Sequence, residues 1–120
     1  MTFEIRPIRQ DELEAFNHNV RTVFAAGGNM NVEMPPEWTL CGFEDGRLAT
    51  SYAFWPLTIL LNGAPVAIDG VTMVGTYPLF RRKGNLRKVT TRHFEIMHDQ
   101  GKKHISALFA SRTAIYQRYG

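Results

Sequence analysis

The chain has 120 residues, 44% hydrophobic and 21% charged, with a formal net charge of +3, which bounds it to one globular domain, residues 1–120, with a modest core. A single cysteine, Cys41, excludes an internal disulfide framework and fits a reducing compartment. The opening Met1–Arg6 is no secretory signal, and the longest apolar run, Ala53 to Leu61, contains Pro56 and Thr58 and is too short to span a bilayer, so a cytoplasmic protein with no membrane contact is expected.

In chain order, Phe3 to Arg6 alternates apolar and polar and predicts a first strand ended by Pro7. Asp11, with Glu14 three residues on, predicts a capped helix over about Glu12–Phe24, with Leu13, Phe16, Val20 and Phe24 on one face. Ala25 to Asn29 breaks it, and Asn29 to Pro36 reads as irregular. Glu37–Phe43 and Arg47–Phe54 are expected as strands joined by an Asp45-Gly46 turn, with a bend at Trp55-Pro56. Leu57–Leu61 and Ala64–Ile68 form a further hairpin across Asn62-Gly63, and Val71–Thr76 is a central strand.

A helix is expected from Asn85 to about Gln100, stopped by Gly101. Leu86, Val89, Thr90, His93 and Met97 share its inner face, which makes His93 a satisfied core residue. Lys103–Phe109 predicts a strand and Arg112–Tyr119 a last helix. The sum is an α/β layered domain.

The most informative stretch joins the central strand to the second helix. Arg81, Arg82 and Lys83 stand before Gly84, and a helix opens at Asn85. Backbone N–H groups and a helix N-terminus would there face one spot beside three cations, which suits a di- or triphosphate. The charge would also suit nucleic acid, but the basic residues cluster at one loop and helix start instead of forming a stripe, so no nucleic-acid partner is expected.

Arg81-Arg82-Lys83-Gly84-Asn85-Leu86-Arg87 resembles the acyl-coenzyme A pyrophosphate loop of the GCN5-related N-acetyltransferase (GNAT) superfamily. Leu86 departs from the general pattern and agrees with the Eis-like (enhanced intracellular survival) branch. Gly70–Val74 and the tail Ser111–Gly120, with Ile115-Tyr116, are also similar to that branch. The resemblance implies a GNAT acyltransferase fold, with a mixed, mostly antiparallel sheet flanked by helices and the C-terminal strands missing. A longer protein's N-terminal part, a proteolysed piece and a naturally minimal copy all stay open.

The resemblance further implies acetyl-CoA as cosubstrate, no metal, and direct transfer to a primary amine of a small molecule or lysine. Met73, Val74 and Thr76 would pair with the coenzyme's pantetheine arm and polarise the thioester. Arg81, Arg82, Lys83, Gly84, Asn85, Leu86 and Arg87 would hold the pyrophosphate. Ser111 would lie near the acyl-CoA, although by itself it also reads as a helix cap. Tyr116 would be the general acid; a tyrosine packed at the core edge is the plainer alternative. Gly75 after Met73-Val74 suggests a bulge. No general base stands out: Glu33, Glu37 and Asp69 each read as solvated loop or turn carboxylates. A homo-oligomer, hexameric by resemblance, is expected. The alternative to an enzyme is a non-catalytic acyl-CoA-binding module.

Overall fold

The computed structural model describes residues 2–23, 33–101 and 106–108. Strand β1 (Phe3–Arg6) leads through a short 3-10 turn at Gln10–Glu12 into helix α1 (Leu13–Val23). Strands β2 (Cys41–Glu44), β3 (Arg47–Leu61) and β4 (Ala64–Thr76) follow, then helix α2 (Asn85–Gln100) and strand β5 (Ser106–Ala107). The sheet keeps chain order, β1-β2-β3-β4-β5. Its pairs are antiparallel except the last, where β5 runs parallel to β4.

Both predicted two-residue turns form. Asp45 and Gly46 have φ of 50° and 81°, Asn62 and Gly63 51° and 81°. Two successive positive φ values match the right-handed twist of the flanking strands, which is why Asp-Gly and Asn-Gly occupy such turns.

The predicted strand boundaries need correction. The bend at Trp55-Pro56 does not occur: β3 runs on through it, with Trp55 opposite Gly70 and Pro56 opposite Asp69, and β4 likewise merges the two segments expected at 64–68 and 71–76. Tyr52 accepts from Leu40 N–H on the side of β3 facing away from β4. Pro56 shares the parity of Tyr52, so its missing N–H falls on an edge that no described strand pairs beyond Ala53, where proline is tolerated. The strand expected at Glu37–Phe43 starts only at Cys41. Before it, Pro36–Trp38 forms a 3-10 turn closed by Trp38 N–H to Pro35 O (2.9 Å) and Thr39 N–H to Pro36 O (3.0 Å), and paired prolines with fixed φ favour that turn over a strand.

Helix α1 also starts later than expected, and Asp11 is not its cap. Asp11 lies within the preceding 3-10 turn, which starts after Arg9; Glu12 closes that turn by accepting from Arg9 N–H at 2.7 Å, while Glu14 pairs with Arg21. Phe24, the break at Ala25–Asn29, the helix expected at 112–119 and most of the strand expected at 103–109 lie outside the described residues.

Alternation along β3 splits the core into two layers. Phe16 and Val20 of α1 pack with Cys41, Phe43 and Ala53 on one face. Val89 of α2 packs with Leu40, Tyr52 and Val71 on the other. The inner face of α2 is as predicted at Val89, Thr90, His93 and Met97; Asn85 is buried too, and Leu86 is only half-buried. The aromatic side chains of β3 and of the turn before β2 divide between the layers. Tyr52 and Phe54 turn to α2, while Trp38 meets Trp55 edge-on at 5.2 Å.

His93 is satisfied on both nitrogens. Nδ1 lies 2.7 Å from the Tyr52 hydroxyl and Nε2 3.0 Å from Asp69 Oδ2, and the ring stacks on Phe54 at 4.8 Å. Asp69 is therefore no solvated turn residue, contrary to expectation; it is 3% exposed and joins α2 to β4. Continuous pairing through Pro56 removes the turn that would have exposed it.

A bidentate ion pair sits near the start of the chain. Arg6 donates through Nη1 and Nη2 to the two Glu12 oxygens at 2.7 and 2.9 Å, with its plane over the Phe43 ring. The guanidinium holds the Glu12 carboxyl down at about 2, from an ordinary 4.5. A carboxyl lowered on folding stabilises the fold above its unfolded pKa, and that contribution is lost as pH falls through the folded value. Stability is expected to decline between pH 4.5 and about 2. Glu12→Gln should lower the urea midpoint at neutral pH and flatten that acid slope, as unfolding curves across this window would record.

Candidate functional site

The segment after β4 is built by backbone contacts. Tyr77 N–H donates to Ala49 O at 2.8 Å, and Pro78–Phe80 makes one 3-10 turn. The chain then reverses through Arg82, whose φ is 63°, and Gly84, whose φ is 75° and which caps α2. Asn85, 4% exposed, donates through Nδ2 to Phe80 O at 3.2 Å and so ties the turn to the helix start. Lys88 N–H reaches Gly84 O at 3.1 Å, the first bond of the helix. The N–H groups just before it project from the helix end, where the dipole favours an anion.

Around these amides the cations are unequal. Arg81, Arg82 and Arg87 are exposed, with Arg81 Nε held on Thr76 O at 3.1 Å. Lys83 instead turns toward β2. Its ammonium donates to Glu44 Oε1 at 2.8 Å and lies 5.6 Å from the Phe80 ring. Glu44 is 6% exposed, so Lys83 tethers the loop to a buried carboxylate.

The expected bulge is present in β4. Ser51 pairs with Gly75 and Ala53 with Thr72, so Met73 and Val74 together face Tyr52. Met73 takes a φ of 54°, left-handed for a residue with a side chain. Ser51 Oγ donates to Met73 O at 2.7 Å and sits 3.3 Å from Gly75 O, which also accepts from Asn19 Nδ2 at 3.1 Å. Both carbonyls are thus held toward β3 and α1. In a planar trans peptide the N–H lies opposite the carbonyl, so the N–H groups of Val74 and Thr76 face the other edge. On that edge β5 pairs only with Asp69 and Gly70, and among the described residues nothing pairs with β4 beyond it. Gly75 is required here: a Cβ would stand 2.6 Å from Val23 Cγ1.

The site is thus a bulged strand edge, unpaired among the described residues, leading straight into a cationic helix N-terminus. A family model described as an acetyltransferase (GNAT) domain matches residues 4–120. The chain belongs to this family. Its similarity to an uncharacterized N-acetyltransferase of Streptomyces griseus subsp. griseus is 28% identity over 129 residues, covering all of this chain and 31% of that protein. Eis1 from Mycobacterium abscessus superposes with a TM-score of 0.86 at 22% identity, over 97% of this chain and 31% of that one. A GNAT family acetyltransferase from Brucella melitensis, crystallised with acetyl-CoA, superposes with a TM-score of 0.75 at 20% identity, over 99% of this chain and 82% of that one. These structural likenesses establish the fold. The GNAT chain described here spans less than a third of the Streptomyces relative.

Within this GNAT domain the structure brings together Met73, Val74 and Thr76 on one edge and Arg81, Arg82, Gly84, Asn85, Leu86 and Arg87 at its end. Tyr116 and Ser111 lie outside the described residues. Cys41 is a strand residue, as expected, and burial pushes its thiol up to about 12. Glu33 and Glu37 are exposed. The sequence reading missed Ser51, Asn19 and Glu44. Ser51 and Asn19 are buried polar residues on core faces; their partners are backbone carbonyls, which no side-chain motif encodes.

The strain at Arg82 separates folding from binding. A left-handed residue with a side chain costs roughly 1–2 kcal/mol relative to glycine. Arg82→Gly removes that cost together with one exposed cation. It is expected to keep or raise the thermal midpoint while weakening polyphosphate binding, checked by paired thermal denaturation and coenzyme A titration.

Proposed function

We propose that this chain carries the coenzyme-binding half of an acetyl-CoA-dependent N-acetyltransferase of the Eis-like branch, transferring acetyl directly to a primary amine of a small molecule or lysine. The carrying observation is the continuity of the open β4 edge with the α2 N-terminus. An extended arm ending in a pyrophosphate needs such a site: a strand edge for its amides, then oriented N–H groups and cations for its phosphates. The turned N–H groups of Val74 and Thr76 fit the first need; the loop from Arg81 to Arg87 fits the second.

Acetyl-CoA supplies the activated acetyl thioester. The Val74 N–H is assigned to the thioester carbonyl oxygen, where negative charge develops. The neutral amine nitrogen bonds the acyl carbon as the carbon–sulfur bond breaks; Tyr116 is assigned to give its proton to the departing thiolate, and the proton shed by the new amide nitrogen restores the tyrosine. Lys83, drawn to Glu44, is assigned to shaping the loop; Arg81, Arg82 and Arg87 are assigned to the phosphates. The likeness to Eis1 supports the branch, and with it we assign a cytoplasmic homo-oligomer, hexameric in the whole protein, with no metal, nucleic-acid or membrane partner.

Titration calorimetry with acetyl-CoA tests the coenzyme reading. Replacing Arg81 and Arg82 together by alanine should weaken binding by at least about tenfold, since each charge-assisted bond to phosphate is among the stronger kinds. Undiminished affinity would reject the assignment. Tyr116→Phe should keep acetyl-CoA affinity and lose most turnover with a primary amine; unchanged turnover would reject Tyr116 as the acid.

A further inference from the structure

We infer that Ser51 is a positioning residue for acyl transfer, holding the Met73–Val74 peptide so that the Val74 N–H faces the open edge of β4. The inference rests on the coenzyme reading proposed above and adds to it the side chain that aims the donor.

A bulge alone does not fix the orientation of its central peptide. Met73 at a φ of 54° is in a region that a residue with a side chain adopts only when something compensates. The compensation is Ser51. Its hydroxyl is buried at 0% exposure and donates to Met73 O at 2.7 Å. The same oxygen lies 3.3 Å from Gly75 O, and Asn19 Nδ2 secures that second carbonyl at 3.1 Å. Two buried side chains therefore hold the carbonyls on either side of Val74. If the Ser51 bond were lost, the Met73–Val74 peptide would be free to rotate about ψ of Met73 and φ of Val74 and swing the Val74 N–H away from the edge. Serine suits the task because it is small enough for the buried face it shares with Ala49 and Ala53 and still carries a donor.

The neighbouring hydroxyl provides a matched control. Thr50 is equally buried, but its Oγ1 meets Thr76 Oγ1 at 3.0 Å and makes no contact with the bulge carbonyls. Losing it costs a buried hydrogen bond in the same strand pair without freeing the Met73–Val74 peptide.

The test is isotope-edited infrared spectroscopy of acetyl-CoA labelled with carbon-13 at the thioester carbonyl, bound to the purified chain. It is paired with calorimetric affinities for acetyl-CoA and for coenzyme A, which lacks that carbonyl. In the unaltered protein the bound carbonyl band should lie below its position in water. Ser51→Ala should return the band toward the free value and weaken acetyl-CoA several-fold, with coenzyme A affinity held. Ser51→Cys, which keeps a weaker donor, should fall between. Thr50→Val should lower the thermal midpoint and leave the band in place. A wild-type band in Ser51→Ala, or equal losses of affinity for both ligands, would overturn the role of Ser51 while leaving the coenzyme reading intact. No bound acetyl-CoA, or no band shift, in the unaltered protein would overturn both.

Discussion

A strand that carries one residue more than its neighbour cannot pair evenly, and the arrangement of this domain follows from where that surplus falls. Met73 and Val74 stand opposite Tyr52 alone. Above that point β4 is an ordinary sheet strand, flanked by β3 and β5. Below it, β4 keeps β3 on one side and turns amides outward on the other. The surplus residue thus divides one strand into a half paired on both sides and a half whose outer edge is unpaired among the described residues. Among the described residues β5 pairs with β4 at Asp69 and Gly70 alone, just before the bulge, so the unpaired edge and the bulge adjoin.

The helix that follows must begin at a fixed height relative to this edge, since its first turn presents the amides that the proposal assigns to the phosphates. Burial of Val89 and Met97 attaches α2 to the sheet, but apolar contact is tolerant of sliding. His93 is not. Its two ring nitrogens engage Tyr52 of β3 and Asp69 of β4 at once, and directional bonds to two strands fix both rotation and translation of the helix. At the other end of the loop, the Glu44–Lys83 pair draws the chain toward β2. The loop is thus tied to β2 at Lys83 and the helix after it to the sheet at His93, and Arg81, Arg82 and Arg87 remain exposed beside these anchors.

Much of this was legible in the sequence, and what was not has physical causes. The Asp45-Gly46 and Asn62-Gly63 turns, the extent of α2 and the core role of His93 follow from rules reaching only a few residues, and the structure agrees. The bulge was suggested by Gly75 for a similar reason. Local rules misplace the bend at Pro56, because whether a proline interrupts a strand depends on which side its missing N–H faces, a property of the whole sheet. Asp69 was misjudged by the same error, since a bend there would have left it at the surface. Ser51 and Asn19 were invisible because each acts on a carbonyl distant in sequence, which becomes a partner only after the strands and α1 assemble. Tyr116 and Ser111 rest on the tail motif.

The outer edge of β3 has a further consequence for how this protein behaves in a crowded solution. From Trp55 to Ile68 the hairpin carries no charged side chain, and Trp55, Leu57, Leu60 and Leu61 are exposed. An uncharged, apolar edge of this kind is the usual starting point for unwanted sheet extension between molecules. Pro56 lies on that edge with nothing to donate. The residue that looked like a strand breaker is better understood as a solubility device: it leaves β3 whole and interrupts the row of donors that a foreign strand would need to bind.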